Sequence, residues 1–166
     1  MEFICCIICG GGIPLAQAYN FFALIARMKY IDRWALMRNT EPENIQEHSH
    51  QVAVLAHALA VIQNRHFGGR TDPGGGAVAA LYHDATEIIT GDMPTPIKYY
   101  NDTLRDSYKE VEAMAADRLL DMLPGELREI YEPLLKERDP EVRVIVKAAD
   151  KLSAYLKCVE ELKAGN

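Results

Sequence analysis

Apolar residues in this chain recur at steps of three and four, and nowhere do they alternate every second position for long enough to face a sheet. That spacing confines the chain to helices packed on helices, and the expected fold class is all-α. A first helix carries Phe21, Leu24, Ile25, Met28 and Ile31, and runs into Asp32-Arg33-Trp34 at its end or in the following turn. A second opens at Asn44, with Glu47 three residues on as a capping-box partner, and runs to about His66 before Gly68-Gly69. The stretch GGRTDPGGG (68–76) reads as a linker; it lacks the GKS or GKT of a phosphate-cradling loop. A third helix is expected over about 77–90, where Gly91 supplies a left-handed end and Pro94 and Pro96 prevent continuation. A fourth covers about 102–122, with Leu104, Tyr108, Val111, Ala115, Leu119 and Met122 on one face, and a short helix covers 126–135. The last begins after the cap pair Asp139-Pro140 and reaches about Lys163.

The 166 residues suit one domain, expected over 19–166. A net charge of −6, from 18 basic and 24 acidic residues with no Lys/Arg run, argues against a nucleic-acid polymer as partner but leaves room for a small anion. The apolar run FICCIIC (3–9) is too short to span a bilayer and follows Glu2 rather than a basic region. With GGG at 10–12 behind it, residues 1–18 read as a flexible extension, and no membrane association is expected. Cys5, Cys6 and Cys9 crowd one end, far from Cys158, so no disulfide framework spans the chain and a cytoplasmic location follows. Cys6 and Cys9 form a single CxxC without the second ligand pair a structural zinc site needs.

Three histidines of the second helix separate by geometry. Val52, Leu55, Leu59 and Ile62 fall within about 40° of His48 on a helical wheel, whereas His57 and His50 lie on the opposite side. His48 therefore heads the apolar stripe, and His50, His57 and His66 read as structural or exposed. In the third helix, LYHDATEIITGD (81–92) places His83 and Asp84 side by side in an apolar setting, with Glu87 one turn on. Burying an unpaired charge costs several kcal/mol, so these groups need partners inside the fold. Asp150, within VKAADKLSAYL of the last helix, supplies one. Two imidazoles and two carboxylates on three helices suit Mn²⁺, Co²⁺, Fe²⁺ or Zn²⁺, and the absence of thiolates favours a catalytic centre with open positions.

The order His48, His83-Asp84, Asp150 resembles the H…HD…D pattern of the HD-domain metal-dependent phosphohydrolases. With DRWALMRN (32–39), ENIQEHS (43–49), YHDATEIITGDMPTPIKYY (82–100) and VKAADKLSAYLKCVEELKAGN (146–166) in this order, the chain closely resembles the bacterial HD-domain 5′-deoxynucleotidases of the YfbR type over about 19–166. The resemblance implies an HD-domain helical bundle and a homodimer. It also implies hydrolysis of deoxyribonucleoside 5′-monophosphates to deoxynucleoside and phosphate, with one divalent ion, cobalt or manganese favoured. It implies His48, His83, Asp84 and Asp150 as metal ligands, with His48 and Asp150 also facing the substrate. Arg33 and Trp34 would contact substrate, Glu87 would be catalytic, and Asp92 would lie at the phosphate and sugar; either carboxylate could be the general base. Two departures accompany it. Family chains continue past Gly165-Asn166, so this chain is expected to lack the last C-terminal helical segment, and KERDPE (136–141) is a shorter connection than theirs. Two other readings use the same residues: an HD hydrolase of nucleoside triphosphates or phosphodiesters, and a metal- and nucleotide-binding module without turnover.

Overall fold

A computed structural model describes residues 19–136 and 139–166. The expected N-terminal extension with its CxxC, and the centre of the KERDPE connection, lie outside the described residues. The chain is all-α: α1 (Phe21–Ile25) tightening into a 3₁₀ turn (Ala26–Tyr30), α2 (Ile45–Phe67), α3 (Pro73–Tyr82), α4 (Glu87–Thr90), α5 (Thr95–Lys98), α6 (Asp102–Leu120), α7 (Gly125–Leu135) and α8 (Pro140–Lys163). The one strand-like pairing among the described residues is an isolated antiparallel bridge, Asp32 to Asn44, which closes a loop holding Arg33 and Trp34.

The two long helices start where expected. The Asn44 side chain accepts from the Glu47 N–H at 3.0 Å and Glu47 answers the Asn44 N–H, completing the capping box of α2. Asp139 accepts from the N–H groups of Glu141 and Val142, and Pro140 occupies the first turn of α8.

The stretch expected as a linker is instead partly helical. Asp72 accepts from the N–H groups of Gly74 and Gly75, each at 3.0 Å, and α3 begins at Pro73. An Asp-Pro start satisfies orphan amide groups that three helix-weakening glycines would otherwise leave open. A Cβ at Gly75 would meet Asp72 Oδ2 at 2.9 Å, so a larger residue there would push the capping carboxylate aside.

α3 also ends early. The expected continuous helix over 77–90 stops at Tyr82; a turn follows, with Ala85 N–H bonded to Tyr82 O and Glu87 N–H to Asp84 O, before α4. These i→i−3 bonds turn the His83-Asp84 pair off the end of the helix. Pro94 and Pro96 do stop α4 from extending, but Thr95–Lys98 form an unanticipated turn of helix.

α2, α3 and α8 form one packed unit around Val52, Ala53, Ala56, Ala60, Ala79, Ala80, Val142, Ile145, Val146 and Ala149. The buried face of α2 is rotated roughly 75° from the stripe of large apolar residues read from the sequence. Leu55 and Leu59 are only half-buried, and Ile62 is 48% exposed. Small side chains win the centre because they let helix backbones approach closely, and the leucines fill the flanks. His48 consequently sits at the edge of the buried face rather than its middle. A second cluster joins Phe21, Ala85, Leu119, Leu120 and Leu123, with the rings of Phe21, Tyr82 and Tyr131 meeting across α1, α3 and α7. On α6, Tyr108, Ala115 and Leu119 are buried as expected, whereas Val111 is 41% exposed.

The far end of α8 fastens the loop between α1 and α2. Lys157 is buried and donates to the Glu41 carbonyl and to Glu161, while Glu161 accepts from the backbone and hydroxyl of Thr40 at 2.8 and 2.6 Å. Those donors hold the Glu161 carboxyl well below the usual carboxylate range. No described helix is long and apolar enough to cross a membrane.

Candidate functional site

The first turn of α2, the turn after α3, and the middle of α8 converge on one point. Each of His48, His83 and Asp150 offers a ligand atom there, and these atoms lie within 4.8 Å of one another. Asp84 Oδ2 faces the same point, 3.2 Å from His83 Nε2 and 3.6 Å from His48 Nε2. Asp150 Oδ1 lies 3.0 Å from His48 Nε2. Asp150 keeps 41% of its side chain exposed, so the cluster is open to solvent on that side rather than sealed.

Both rings are set as ligands by what holds their other nitrogen. His83 Nδ1 lies 2.7 Å from the Ala80 carbonyl, which only accepts, so Nδ1 carries the proton. That carbonyl is available because α3 ends two residues later and leaves it without a full helical partner. His48 Nδ1 lies 3.2 Å from Ser153 Oγ, and Ser153 donates its own proton to Gln51 Oε1 at 2.5 Å. The serine oxygen is thereby left to accept from His48 Nδ1. In each neutral imidazole the Nε2 lone pair then points at the shared site, the arrangement that outer partners impose on metal-binding histidines. His83 Nε2 is buried and makes no hydrogen bond, a cost that an ion at this position would remove. The donor set therefore fits a divalent ion.

Charge reinforces the fit. Burial pushes the Asp84 carboxyl up, but His83, His48 and Arg33 together outweigh it and hold it well below the usual range. Burial lowers His83, and Asp84 outweighs this, so His83 moves upward overall. Glu87 behaves oppositely. It is 8% exposed, one carboxylate oxygen has no hydrogen-bond partner, and burial with Asp84 and Asp92 nearby pushes it up to about 9.

Arg33 and Trp34 stand beside this cluster. Arg33 is not a surface ion pair: its side chain is 13% exposed, Nε is 3.1 Å from Glu43 Oε2, and Nη1 is 3.3 Å from Asp84 Oδ2. Trp34 donates from Nε1 to the same Glu43 oxygen at 2.7 Å, and the guanidinium lies 5.8 Å from the centre of its ring. The Trp34 backbone has φ of 63°, in the left-handed region that side chains with a Cβ avoid, and its N–H reaches Asp92 Oδ2 at 3.3 Å. His50, His57 and His66 are exposed and take no part. Beside His83 a cleft of about 400 Å³ opens between Thr86, Glu112, Ala116, Leu135 and Lys136.

Sequence reasoning missed Glu43, Ser153 and the Ala80 carbonyl. Glu43 and Ser153 fall inside quoted segments, but an acidic residue before a helix cap and a serine within a helix carry no local signal of a ring nitrogen to hold. A carbonyl becomes available only through an early helix end.

A family model described as 5′-deoxynucleotidase YfbR-like matches residues 20–166. The chain belongs to the YfbR-like 5′-deoxynucleotidase family. Within that family, a Vibrio cholerae 5′-deoxynucleotidase is 57% identical over 152 residues, covering 90% of this chain and 78% of the relative. A Salmonella paratyphi B 5′-deoxynucleotidase YfbR is 54% identical over 149 residues, covering 89% and 75%. Among solved structures, a Listeria innocua HD-domain phosphohydrolase shares the fold with a TM-score of 0.75 at 24% identity, over 89% of this chain and 71% of its own. A cyanophage S-2L HD phosphohydrolase, bound to dA and one catalytic Zn²⁺ ion, matches with a TM-score of 0.57 at 27% identity, over 80% of this chain and 66% of its own. The helical HD fold of this YfbR-like chain is thus the one expected from its pattern.

Proposed function

We propose that this protein is a metal-dependent 5′-deoxynucleotidase, releasing phosphate from deoxyribonucleoside 5′-monophosphates. The observation that carries the reading is the convergence of two imidazole Nε2 lone pairs and the Asp84 and Asp150 carboxylates beside Arg33, in a chain more than half identical to named 5′-deoxynucleotidases. His48, His83, Asp84 and Asp150 would hold the ion, Co²⁺ or Mn²⁺ by preference, with Zn²⁺ or Fe²⁺ compatible with the same donors. When bound, such an ion supplies Lewis acidity toward a phosphoryl oxygen and toward water.

The chain's own residues do the rest. Arg33 carries a fork of donors matched to phosphate oxygens, and its bonds to Glu43 and Asp84 hold it beside the metal-capable cluster. Hydrolysis forms a bond from water oxygen to phosphorus and breaks the bond to the sugar 5′ oxygen, so the water loses a proton and the leaving oxygen gains one. Glu87 and Asp92 are the two carboxylates suited to these transfers. In this reading the Trp34 ring would cover the sugar and leave a ribose 2′-hydroxyl without a partner, which would disfavour ribonucleotides. His48 and Asp150 would also face the substrate, and the cleft beside His83 has a volume in the range that holds small ligands. A nucleoside and a metal on an HD scaffold, as in the cyanophage protein, support the same assignment.

A cytoplasmic homodimer completes the proposal. Cysteine usage without a disulfide framework supports the compartment, and the exposed Ile97, Tyr99 and Tyr100 offer apolar surface to a second copy. The test is phosphate release from paired deoxy- and ribonucleoside monophosphates with Co²⁺, Mn²⁺ or EDTA. Turnover is expected with metal, loss with EDTA, and a preference for the deoxy member of each pair. No release from any monophosphate, or release unaffected by EDTA, would refute the assignment.

A further inference from the structure

We infer that Glu43 is a positioning residue for Arg33 and Trp34, an inference that rests on the substrate-facing roles proposed above for those two side chains. One carboxylate oxygen, Oε2, accepts from Arg33 Nε at 3.1 Å and from Trp34 Nε1 at 2.7 Å. The Glu43 side chain is 13% exposed, so both hydrogen bonds are largely shielded from water. Its carbonyl also accepts from the Arg33 N–H at 2.9 Å, so the same residue ties the backbone of the loop it orients.

The consequence is directional. An arginine has two hydrogen-bonding edges, and Glu43 occupies the Nε edge. The terminal nitrogens are left toward the His48, His83, Asp84 and Asp150 cluster, where Nη1 meets Asp84 Oδ2 at 3.3 Å. Without Glu43, the carboxylate left beside Arg33 is Asp84, and the guanidinium would settle against a group needed elsewhere. The indole would lose the one partner of its N–H while its backbone stayed in the left-handed region, held by Asp92. Glu43 touches neither the metal-capable cluster nor the cleft lining, so it acts through its two neighbours.

The test is a double-mutant cycle on the metal-loaded enzyme, with Trp34 as the reporter because it is the only tryptophan in the chain. Glu43→Ala is expected to lower kcat/KM roughly 10- to 100-fold, the loss that small misplacement of a positioning group produces. In an Arg33→Ala background the same change is expected to cost several-fold less than it does alone, because one of the two groups it positions is gone. Trp34 emission in Glu43→Ala is expected to shift to the red and become more accessible to quencher. Glu43→Gln, which keeps an acceptor for the indole, should restore the emission. Should Glu43→Ala fail to fold, Glu43→Gln carries the cycle. An impaired Arg33→Ala beside an unimpaired Glu43 variant, or losses that multiply in the double variant, would overturn this inference alone. An unimpaired Arg33→Ala would instead remove the role proposed for Arg33, and this inference with it.

Discussion

His83→Ala is expected to lose both the divalent ion and turnover. Elemental analysis of the purified variant should find far less than one ion per chain, and phosphate release from a deoxynucleotide should fall by more than about 100-fold. The magnitude follows from position. Changing a residue that merely orients a metal ligand typically costs 10- to 100-fold, and His83 would supply the ligand atom itself. Its Nε2 is buried without a hydrogen bond, and its Nδ1 is committed to the Ala80 carbonyl, so no neighbouring atom can replace it. The fold should survive. His83 lies in the turn beyond α3, outside both apolar clusters, and its removal leaves the Ala79, Ala80 and Ala85 packing in place. A variant that kept a full complement of metal and its activity would show that the convergence of these helices is incidental.

Glu87→Gln is expected to separate metal binding from chemistry and to move stability the other way. The amide keeps the size of the side chain and leaves His48, His83, Asp84 and Asp150 untouched, so metal content should remain near that of the parent. Turnover should fall by roughly 10² to 10⁴-fold, the usual worth of a general acid or base. Stability of the metal-free protein should rise. Burial, Asp84 and Asp92 push Glu87 from 4.5 to about 9, so the folded state binds its proton more tightly than the unfolded chain does. Between those values the folded protein holds more protons, and stability falls as pH rises. Glutamine has no proton to lose. With EDTA present, the variant should therefore melt higher than the parent at pH 8, by on the order of a few kcal/mol, and the difference should vanish near pH 4. Thermal melts across pH check this. A parent and variant with parallel profiles would show that Glu87 is not held in its neutral form, and unimpaired turnover would take it out of the mechanism.

Much of the site was legible because charge in an apolar run is costly. His83-Asp84 inside LYHDATEII required partners, and His48 on α2 and Asp150 on α8 were candidates that the fold brings to the turn after α3. The cap chemistry was legible too, at Asn44 and Asp139. The same Asp-Pro pair starts α3 at Asp72-Pro73, but three following glycines masked it, since glycine argues locally against a helix that tertiary packing nonetheless stabilises. The buried face of α2 was misplaced for a related reason. Hydrophobicity points to leucine, whereas close helix contact selects Ala53, Ala56 and Ala60. What could not be read were the atoms that orient the ligands. Ser153 and Glu43 act across long stretches of sequence, and the Ala80 carbonyl acts through backbone geometry that exists only once α3 ends at Tyr82.

The most direct measurement is an anomalous-scattering map from crystals grown with Mn²⁺ or Co²⁺. A single strong peak is expected about 2.0–2.3 Å from His48 Nε2, His83 Nε2 and one oxygen each of Asp84 and Asp150. A peak elsewhere, or one at that position from which Asp150 stands apart, would contradict it.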